Sequence, residues 1–202
     1  MGDYQFEQLE ALIQINQHLQ ALPRSEAEKL RAIMNEYLEF RRRVDRFLEG
    51  YFSLVCNRTC YRSRLSACCS REGIITFFAD MVINLLLSEE AEIDALAHVL
   101  RSRNTGFKCV YLGVDGCLWR IKPIVCQMFL CERARTMVFS EHPEALVEWQ
   151  ELERQRKLFT WPDRPVLFDT IETYFMAAGC TSPLMYLHNS PGLLRVKQKA
   201  GF

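Results

Sequence analysis

The first fifty residues alternate apolar and polar positions with the period of a helix. Between residues 5 and 22 apolar side chains recur every three or four positions, and Pro23 ends this pattern. Ser25 then offers an N-cap, and a second apolar stripe continues from there to about Gly50. We therefore expect two helices, the second of them long, that pack as an antiparallel helical hairpin across residues 1–50.

The hydrophobic pattern changes character after this pair. Residues 51–72 show no sustained period and carry many Arg, Ser and Asn residues, which predicts a loop wrapped around a ligand site. Residues 74–87 are apolar on all sides, which favours a buried helix, although their β-branched start also fits a short strand. Ser88, followed by two glutamates, begins a clearer amphipathic helix that runs to about Leu100.

A short hairpin is predicted next, because residues 107–112 favour β structure and residues 113–116 supply turn chemistry before the apolar run resumes. This hairpin would carry Cys109 and Cys117. Beyond it, apolar positions predict one helix from Pro143 to about Phe159 and a second over residues 166–178 that ends at Gly179.

These elements predict a fold that is mainly α with a small β-hairpin, in which helical flanks surround a cysteine-rich metal-binding core. We expect a single domain over residues 1–202, with the helical hairpin at 1–50, the cysteine-cluster core at 51–135 and C-terminal helices at 136–202.

Charge argues against nucleic acid as a partner, and hydropathy argues against a membrane. Lys plus Arg and Asp plus Glu each number 25, so no global positive field favours nucleic acid. The local run of Arg41, Arg42, Arg43 and Arg46 is surrounded by acidic residues at helical spacing, which is typical of a solvated helix face. The most apolar window, about 15 residues at 73–87, is too short and too polar for a membrane span.

The N-terminus has neither a basic region nor an apolar core of the kind found in secretory signals. We therefore expect a cytoplasmic protein, and in a reducing compartment clustered cysteines are metal ligands or catalytic thiols more often than disulfides. Export by another route would instead allow four disulfides.

Cysteines are the main candidate chemistry of this chain. Eight of the nine lie between residues 56 and 131, whereas Cys180 stands apart and is interpreted as a small hydrophobe that packs in the core. The eight form a first cysteine segment, residues 56–69, and a second cysteine segment, residues 109–131. They are Cys56, Cys60, Cys68, Cys69, Cys109, Cys117, Cys126 and Cys131.

Four thiolates complete a tetrahedral shell around zinc or iron, so eight would complete two. The spacing lacks the paired CxxC of a zinc ribbon and the CxxCxxC run of a bacterial ferredoxin. Adjacent Cys68 and Cys69 rarely both point into one site in extended backbone, so one would ligate while the other packs, bridges a second metal or acts as a reactive thiol. His142 lies near enough to Cys131 to replace a cysteine ligand.

The second cysteine segment resembles the C-terminal motif of the YkgJ-type cysteine-cluster family, described as zinc- or iron-chelating domains. Cys117 and Cys126 match the two motif cysteines, and Pro123 and Phe129 match its Pro and Phe. Three positions depart from the motif, with Trp119 at the Tyr position, Lys122 in place of the first Arg and Gln127 in place of the second.

The family's other half is a compact cysteine group that ends in an adjacent pair, which Cys68 and Cys69 resemble. Cys56 and Cys60 lie further upstream than the tighter family spacing, so their ligation to the same ion stays open. The resemblance covers about residues 56–131. It implies binding of zinc or iron and no agreed reaction, while thiolates clustered this densely also suit an iron–sulfur cluster.

A similar cluster occurs in flagellin lysine N-methylases. This likeness leaves a second hypothesis, a protein-modifying enzyme that uses the cluster as a structural or redox element. The sequence contains no nucleotide-binding, zinc-protease or serine-hydrolase motif, and it identifies no catalytic residue and no protein partner.

Overall fold

The structure is a computed structural model, and it describes residues 3–66, 68–71, 73–102, 104–161 and 165–185. Nearly all regular structure in these ranges is helical. The α-helices are α1 (Asp3–Ala21), α2 (Arg24–Ile33), α3 (Asn35–Phe47), α4 (Phe78–Leu87), α5 (Glu90–Arg101), α6 (Ile124–Gln127), α7 (Glu132–Glu141), α8 (Pro143–Thr160) and α9 (Leu167–Ala177). A π-helix, Leu48–Tyr61, follows α3, and the strands are β1 (Leu112–Gly113) and β2 (Gly116–Cys117).

The single long helix expected after Pro23 is divided at Met34. There the backbone leaves the helical path (φ −91°, ψ −6°), and the Met34 N–H bonds to the Arg31 carbonyl at 3.1 Å in a tight turn. Pro23 rather than Ser25 occupies the N-cap, and no side chain caps this end. The interruption separates α2 from α3, while the buried Met34 stays in the core.

Helix α4 is the centre of the fold, because nearly every side chain from Phe78 to Leu86 is buried. Helix α1 packs mainly against α4 and α5. The helical hairpin expected from α1 and the helix that follows it is therefore not the main packing of α1. The physical reason is area: a helix that is apolar all round buries more surface against α1 than the charged α2 does. Helix α9 covers another side, with the rings of Phe78 and Phe175 at 5.4 Å.

A second aromatic layer joins α3, α8 and α9. The ring of Tyr37 lies 5.3 Å from Phe159 and 5.6 Å from Phe168, and Phe47 stacks on Trp149 at 5.4 Å. Aromatic pairs at these distances add to the free energy of apolar burial. Since α3 continues directly into the π-helix, this layer also fixes where the first cysteine segment begins.

The loop predicted over residues 51–72 begins only after Tyr61, because the chain stays helical to that residue, whereas residues 62–66 and 68–71 contain no helix, as expected. The ring of Phe52 is 1% exposed and packs on Phe47 and Phe139, which holds this stretch in helical turns. A π-helix has wider turns than an α-helix, so apolar positions fall out of the 3.6-residue period used to find it.

The predicted hairpin is confirmed, although it is shorter than expected. Leu112 pairs with Cys117 and Gly113 with Gly116 in antiparallel register, and the positive φ of Gly116 (+126°) favours glycine at that position. Cys109 lies outside the strands. Short α6 and α7, which flank Cys131, were not anticipated by the sequence.

The predicted C-terminal helices are confirmed as α8 and α9, and Gly179 follows α9 with a φ of +86°. The helix expected after Ser88 is confirmed as α5, although its N-cap is Glu89. No helix within the described ranges has the length and apolar character needed to cross a bilayer.

Candidate metal centre

Backbone hydrogen bonds join the two cysteine segments directly. The N–H of Cys109 donates to the carbonyl of Cys69 at 3.0 Å, and the N–H of Arg71 donates to the carbonyl of Phe107 at 2.8 Å. Ser70 and Lys108 form an antiparallel bridge between these two contacts. Residues separated by about forty positions in the sequence are therefore held side by side.

Side chains add to this junction. The ammonium group of Lys108 donates to the carbonyls of Leu65 and Ser66, the second at 3.3 Å. The hydroxyl of Tyr61, at the end of the π-helix, donates to the carbonyls of Gly113 and Val114 in the hairpin, the second at 2.5 Å. Each contact links the first segment to the second rather than to the helical core.

Cys56 and Cys60 lie about one turn apart on the π-helix. After this helix the chain turns sharply, and the N–H groups of Leu65 and Ser66 both donate to the carbonyl of Cys60, at 3.1 and 3.2 Å. Arg64 and Ser66 have positive φ values of 62° and 38°, which are uncommon for residues with a Cβ. Such backbone strain persists where surrounding contacts over-determine the conformation, and it occurs often at functional sites.

Cys131 lies beside the π-helix, although it comes from the end of the second cysteine segment. It occupies the N-cap of α7, and α7 packs on the π-helix through the rings of Phe52 and Phe139 at 5.6 Å. The pKa of the Cys56 thiol is raised to about 11, mainly by burial. Its electrostatic neighbours, which also raise it, are the thiols of Cys68, Cys131 and Cys60.

The remaining thiols form a second neighbourhood around the hairpin. Burial raises the pKa of Cys109 to about 12, and the thiols of Cys117 and Cys126 add to this increase. Burial also raises the pKa of Cys117 and of Cys126. The raised pKa values mean that these thiols are protonated at neutral pH, so a cation that binds them must displace the protons.

Cys68 and Cys69 share a hydrogen bond between their thiols. This bond raises the pKa of Cys68, with burial as the second cause, and lowers the pKa of Cys69. The two side chains are therefore in contact, whereas extended backbone predicts that they diverge. The thiols of Cys109 and Cys117 are electrostatic neighbours of Cys69.

Buried polar side chains from the helical core hold the stretch before Cys126. Asp80 Oδ1 accepts the N–H of Ile124 at 3.1 Å, and Asn84 Oδ1 accepts the N–H of Ile121 at 2.8 Å. The guanidinium of Arg41 donates to the carbonyl of Lys122 at 2.5 Å. A fourth contact joins Gln127 to Asp45 of α3.

The expectation that this run of arginines faces solvent is wrong for Arg41. Its side chain is 4% exposed, and its guanidinium also donates to the Tyr37 hydroxyl at 2.8 Å. Arg42 and Arg43 do face solvent, and Arg42 pairs with Glu39. The signal for the buried anchors was present in the sequence, since Asp80 and Asn84 interrupt an otherwise apolar helix. The N–H groups that bind these two side chains could not be predicted from the sequence.

Asp80 is a buried carboxyl of the core with a raised pKa. Burial raises its pKa to about 6, while the nearby charge of Arg41 and the backbone N–H groups of Ile124 and Phe77 lower it. The second oxygen of Asp80 accepts the Phe77 N–H at 3.2 Å and so caps α4. One carboxylate thus orients both α4 and the start of α6, which carries Cys126.

The rim of the centre is basic. Arg58, Arg62 and Arg64 lie next to Cys60 in the chain and are exposed, and Lys108 and Lys122 are exposed beside the second segment. The ammonium of Lys122 lowers the pKa of Cys68, Cys69 and Cys117, although other causes outweigh it in Cys68 and Cys117. Positive charge at this position favours thiolates over thiols.

All nine cysteines are free thiols, so the structure contains no disulfide. Among the residues that it describes, no three or more His, Cys, Asp and Glu side chains are arranged to hold a metal ion. Some of the eight thiols are electrostatic neighbours, Cys56 of Cys60, Cys68 and Cys131, and Cys109 of Cys117 and Cys126, and thiolate sulfur is a donor that suits soft metals. Ligation by Cys56, Cys60, Cys68, Cys69, Cys109, Cys117, Cys126 and Cys131 stays a prediction.

His18, His142 and Cys180 have partners outside this centre. His142 bonds to Glu144 at 3.2 Å and packs against Tyr51, which gives it partners other than a cysteine. His18 packs between Tyr174 and Phe175. Cys180 is partly buried against the core, as expected, and His188 lies outside the described residues.

Comparison of the chain with protein-family models, with curated proteins and with solved structures finds no match.

Proposed function

We propose that this protein binds zinc or iron, the latter as an ion or an iron–sulfur cluster, through the thiolates of its two cysteine segments. The observation that carries the proposal is the junction of these segments, in which the Cys109 N–H donates to the Cys69 carbonyl at 3.0 Å. This junction pairs the backbones of two distant stretches of chain that together carry the eight cysteines.

Core packing alone does not account for this arrangement. A structural cysteine behaves as a small hydrophobe and needs no thiol neighbours, as Cys180 illustrates. The eight clustered thiols instead have raised pKa values in several cases, polar anchors beneath them and cations around them. Gathering thiols in this way stabilises the fold once a metal binds them, because binding free energy adds to folding free energy.

The resemblance to YkgJ-type domains supports the same function. The positions that match the motif, Cys117, Pro123 and Cys126, belong to the stretch held by Asp80, Asn84 and Arg41. Pro123 is the N-cap of α6, so it sets the direction in which Cys126 leaves the core.

The test is elemental analysis and a visible absorption spectrum of anaerobically purified protein. We expect zinc or iron in stoichiometric amount, with thiolate-to-iron absorption and acid-labile sulfide if the metal is an iron–sulfur cluster. Treatment with a chelator should release the metal and lower the unfolding temperature. A folded protein that contains no metal and takes up none when zinc or iron is supplied would overturn the proposal.

A further inference from the structure

We infer that the junction of the two cysteine segments docks on an anionic lipid surface. This inference goes beyond metal binding and concerns the outer side of the junction, which we call the junction face. The face is defined by the exposed apolar side chains of Leu65, Phe107 and Val114 and by the cations around them.

The apolar side chains of the junction face are unusually open to solvent. Val114 is 93% exposed and Phe107 is 86% exposed, the two highest values among the large hydrophobic residues in the described part of the chain. Leu65 is 56% exposed. Single exposed hydrophobic residues are common on protein surfaces, so exposure by itself does not indicate a partner. The informative feature is that these three lie at one junction.

Backbone carbonyls show that the three residues share this junction, because each carbonyl accepts a hydrogen bond from the other cysteine segment. The pairs are Val114 with the Tyr61 hydroxyl at 2.5 Å, Phe107 with the Arg71 N–H at 2.8 Å, and Leu65 with the Lys108 ammonium. The Leu65 N–H also donates to the carbonyl of Cys60, the residue before Tyr61, at 3.1 Å. The fold thus fixes the backbone of each apolar residue while its side chain stays in solvent.

Positive charge accompanies these apolar side chains. Residues 50–71 contain four arginines and no acidic residue before Glu72, in a chain whose net charge is zero. Asp115, next to Val114, is an exposed acid on the hairpin. The exposed cations of the face are Arg58, Arg62, Arg64 and Lys108. Protruding apolar side chains among Arg and Lys are the combination that binds anionic headgroups and the outer acyl region of a bilayer.

Shape favours a bilayer over a protein or a nucleic acid. Side chains that protrude singly from turns and loops need matching pockets on a protein partner, whereas the headgroup region of a bilayer deforms around each of them. Nucleic acid offers phosphates to the arginines but no apolar phase for Leu65 and Val114. The prediction from sequence that no membrane is a partner rested on the lack of a spanning segment, which a peripheral contact does not need.

The first test is cosedimentation of the protein, as purified, with lipid vesicles. We expect binding to vesicles of phosphatidylcholine and phosphatidylglycerol in equal amounts and little binding to phosphatidylcholine alone. Raising the ionic strength should weaken the binding, because salt screens the exposed cations. Absence of binding to the mixed vesicles, or equal binding to both kinds of vesicle, would overturn the inference.

The apolar contribution is tested by Phe107→Ser combined with Val114→Ser. Affinity for the mixed vesicles should fall about tenfold or more, because both side chains lose their burial in lipid. The carbonyl hydrogen bonds of these residues do not involve the side chains, so the variant should fold. The matched control is Val147→Ser with Leu158→Ser, two exposed positions of α8 that should leave the affinity unchanged. Equal affinities of the two variants would contradict the docking role of the face.

The charge contribution is tested by Arg62→Gln combined with Arg64→Gln. Affinity should again fall about tenfold or more, since each cation close to an anionic leaflet adds to the attraction. Arg24→Gln with Arg154→Gln is the control, because it removes the same charge from exposed positions on α2 and α8. Equal losses in both variants would mean that overall charge, and not this face, controls binding.

A tryptophan probe separates insertion into lipid from binding to an anionic surface alone. In Phe107→Trp we expect a blue shift of the emission on mixed vesicles and quenching by brominated phosphatidylcholine, neither of which should occur in Val147→Trp. Binding without these changes in Phe107→Trp would overturn the lipid assignment. Metal content should be the same in every variant, so failure of lipid docking would leave the proposed metal binding intact.

Discussion

The two cysteine segments are held in place by different means. The second segment, around residues 121–127, is fastened to the helical core by the buried side chains of Arg41, Asp80 and Asn84. The first segment, beyond the π-helix, is fastened mainly to the second, through Lys108 and the Cys69–Cys109 hydrogen bond. One half of the centre is therefore preorganised by the fold, while the other depends on its partner half.

This difference predicts an order of events for the metal binding that we propose. The anchored half presents its thiols whether or not metal is present, because its buried hydrogen bonds are part of the core. The dependent half carries the strained residues Arg64 and Ser66 and has few buried contacts of its own. We expect metal to order that half more than the other.

The largest effect should come from removing the buried cation of the anchored half. Arg41→Met leaves the Lys122 carbonyl and the Tyr37 hydroxyl without their donor and Asp80 without its nearby positive charge. We expect a loss of about 3–5 kcal/mol in the free energy of unfolding, measured with denaturant. Arg42→Met is the matched control on the exposed face, and an equal loss there would contradict the anchoring role.

Asp80 should make stability fall with rising pH. Its folded pKa of about 6 lies above the ordinary value of 3.8, so the folded chain holds this proton more tightly than the unfolded chain. The contribution is fully present below about pH 4 and is lost as the pH rises through about 6, a change of about 3 kcal/mol.

Denaturant unfolding of the metal-free protein between pH 4 and 7 measures this slope. Asp80→Asn should flatten it, because the amide does not titrate in that range. Arg41, Tyr4, Tyr37 and Cys126 are charged or titratable groups near Asp80, and the positive charge of Arg41 lowers the pKa of Asp80, so the same scan in Arg41→Met should shift the transition to higher pH. An unchanged slope in Asp80→Asn would show that another group controls it.

A smaller effect is expected at Asn84. Asn84→Ala removes the acceptor of the partly buried Ile121 N–H, at a cost of about 1–3 kcal/mol. Asn104 is the matched control, because its side chain accepts the N–H of Gly106 in the exposed loop before Cys109. Thermal unfolding should show a clearly lower midpoint for the first variant than for Asn104→Ala, and similar midpoints would contradict the difference in anchoring.

The smallest effect should appear in hydrogen exchange after metal removal. Chelation should speed amide exchange in residues 62–66 and 68–71 by about tenfold or more, because these amides depend on the metal and on the other segment. The amides of Ile121, Ile124 and Gln127 should change much less, since core side chains and α6 hold them. Equal acceleration in both segments would remove the distinction drawn between them.

Most helices were predictable from hydrophobic spacing, because α1, α4, α5, α8 and α9 carry regular apolar patterns or uniform apolar surface. Short elements were not. Helix α6 has four residues, too few for a period, and the π-helix follows a spacing that a 3.6-residue search does not detect.

The candidate ligands were identifiable because cysteine is rare and eight of them cluster in one stretch. Their supporting residues were not. Arg41 shares a charged helix with Arg42 and Arg43, and only the packing of α3 decides which of these guanidinium groups becomes buried. Asp80 and Asn84 were visible as polar interruptions, but their acceptor roles depend on N–H groups about forty residues away.

The amino-acid sequence by itself determined the helical character of this protein, its small hairpin and the thiol chemistry it offers, because these follow from local spacing and residue type. The tertiary structure alone decided that Cys69 meets Cys109, that Cys131 meets the π-helix, and that one half of the centre is anchored while the other is not. Those outcomes depend on which surfaces bury most apolar area and which buried N–H groups need acceptors, and both are properties of the whole packed chain.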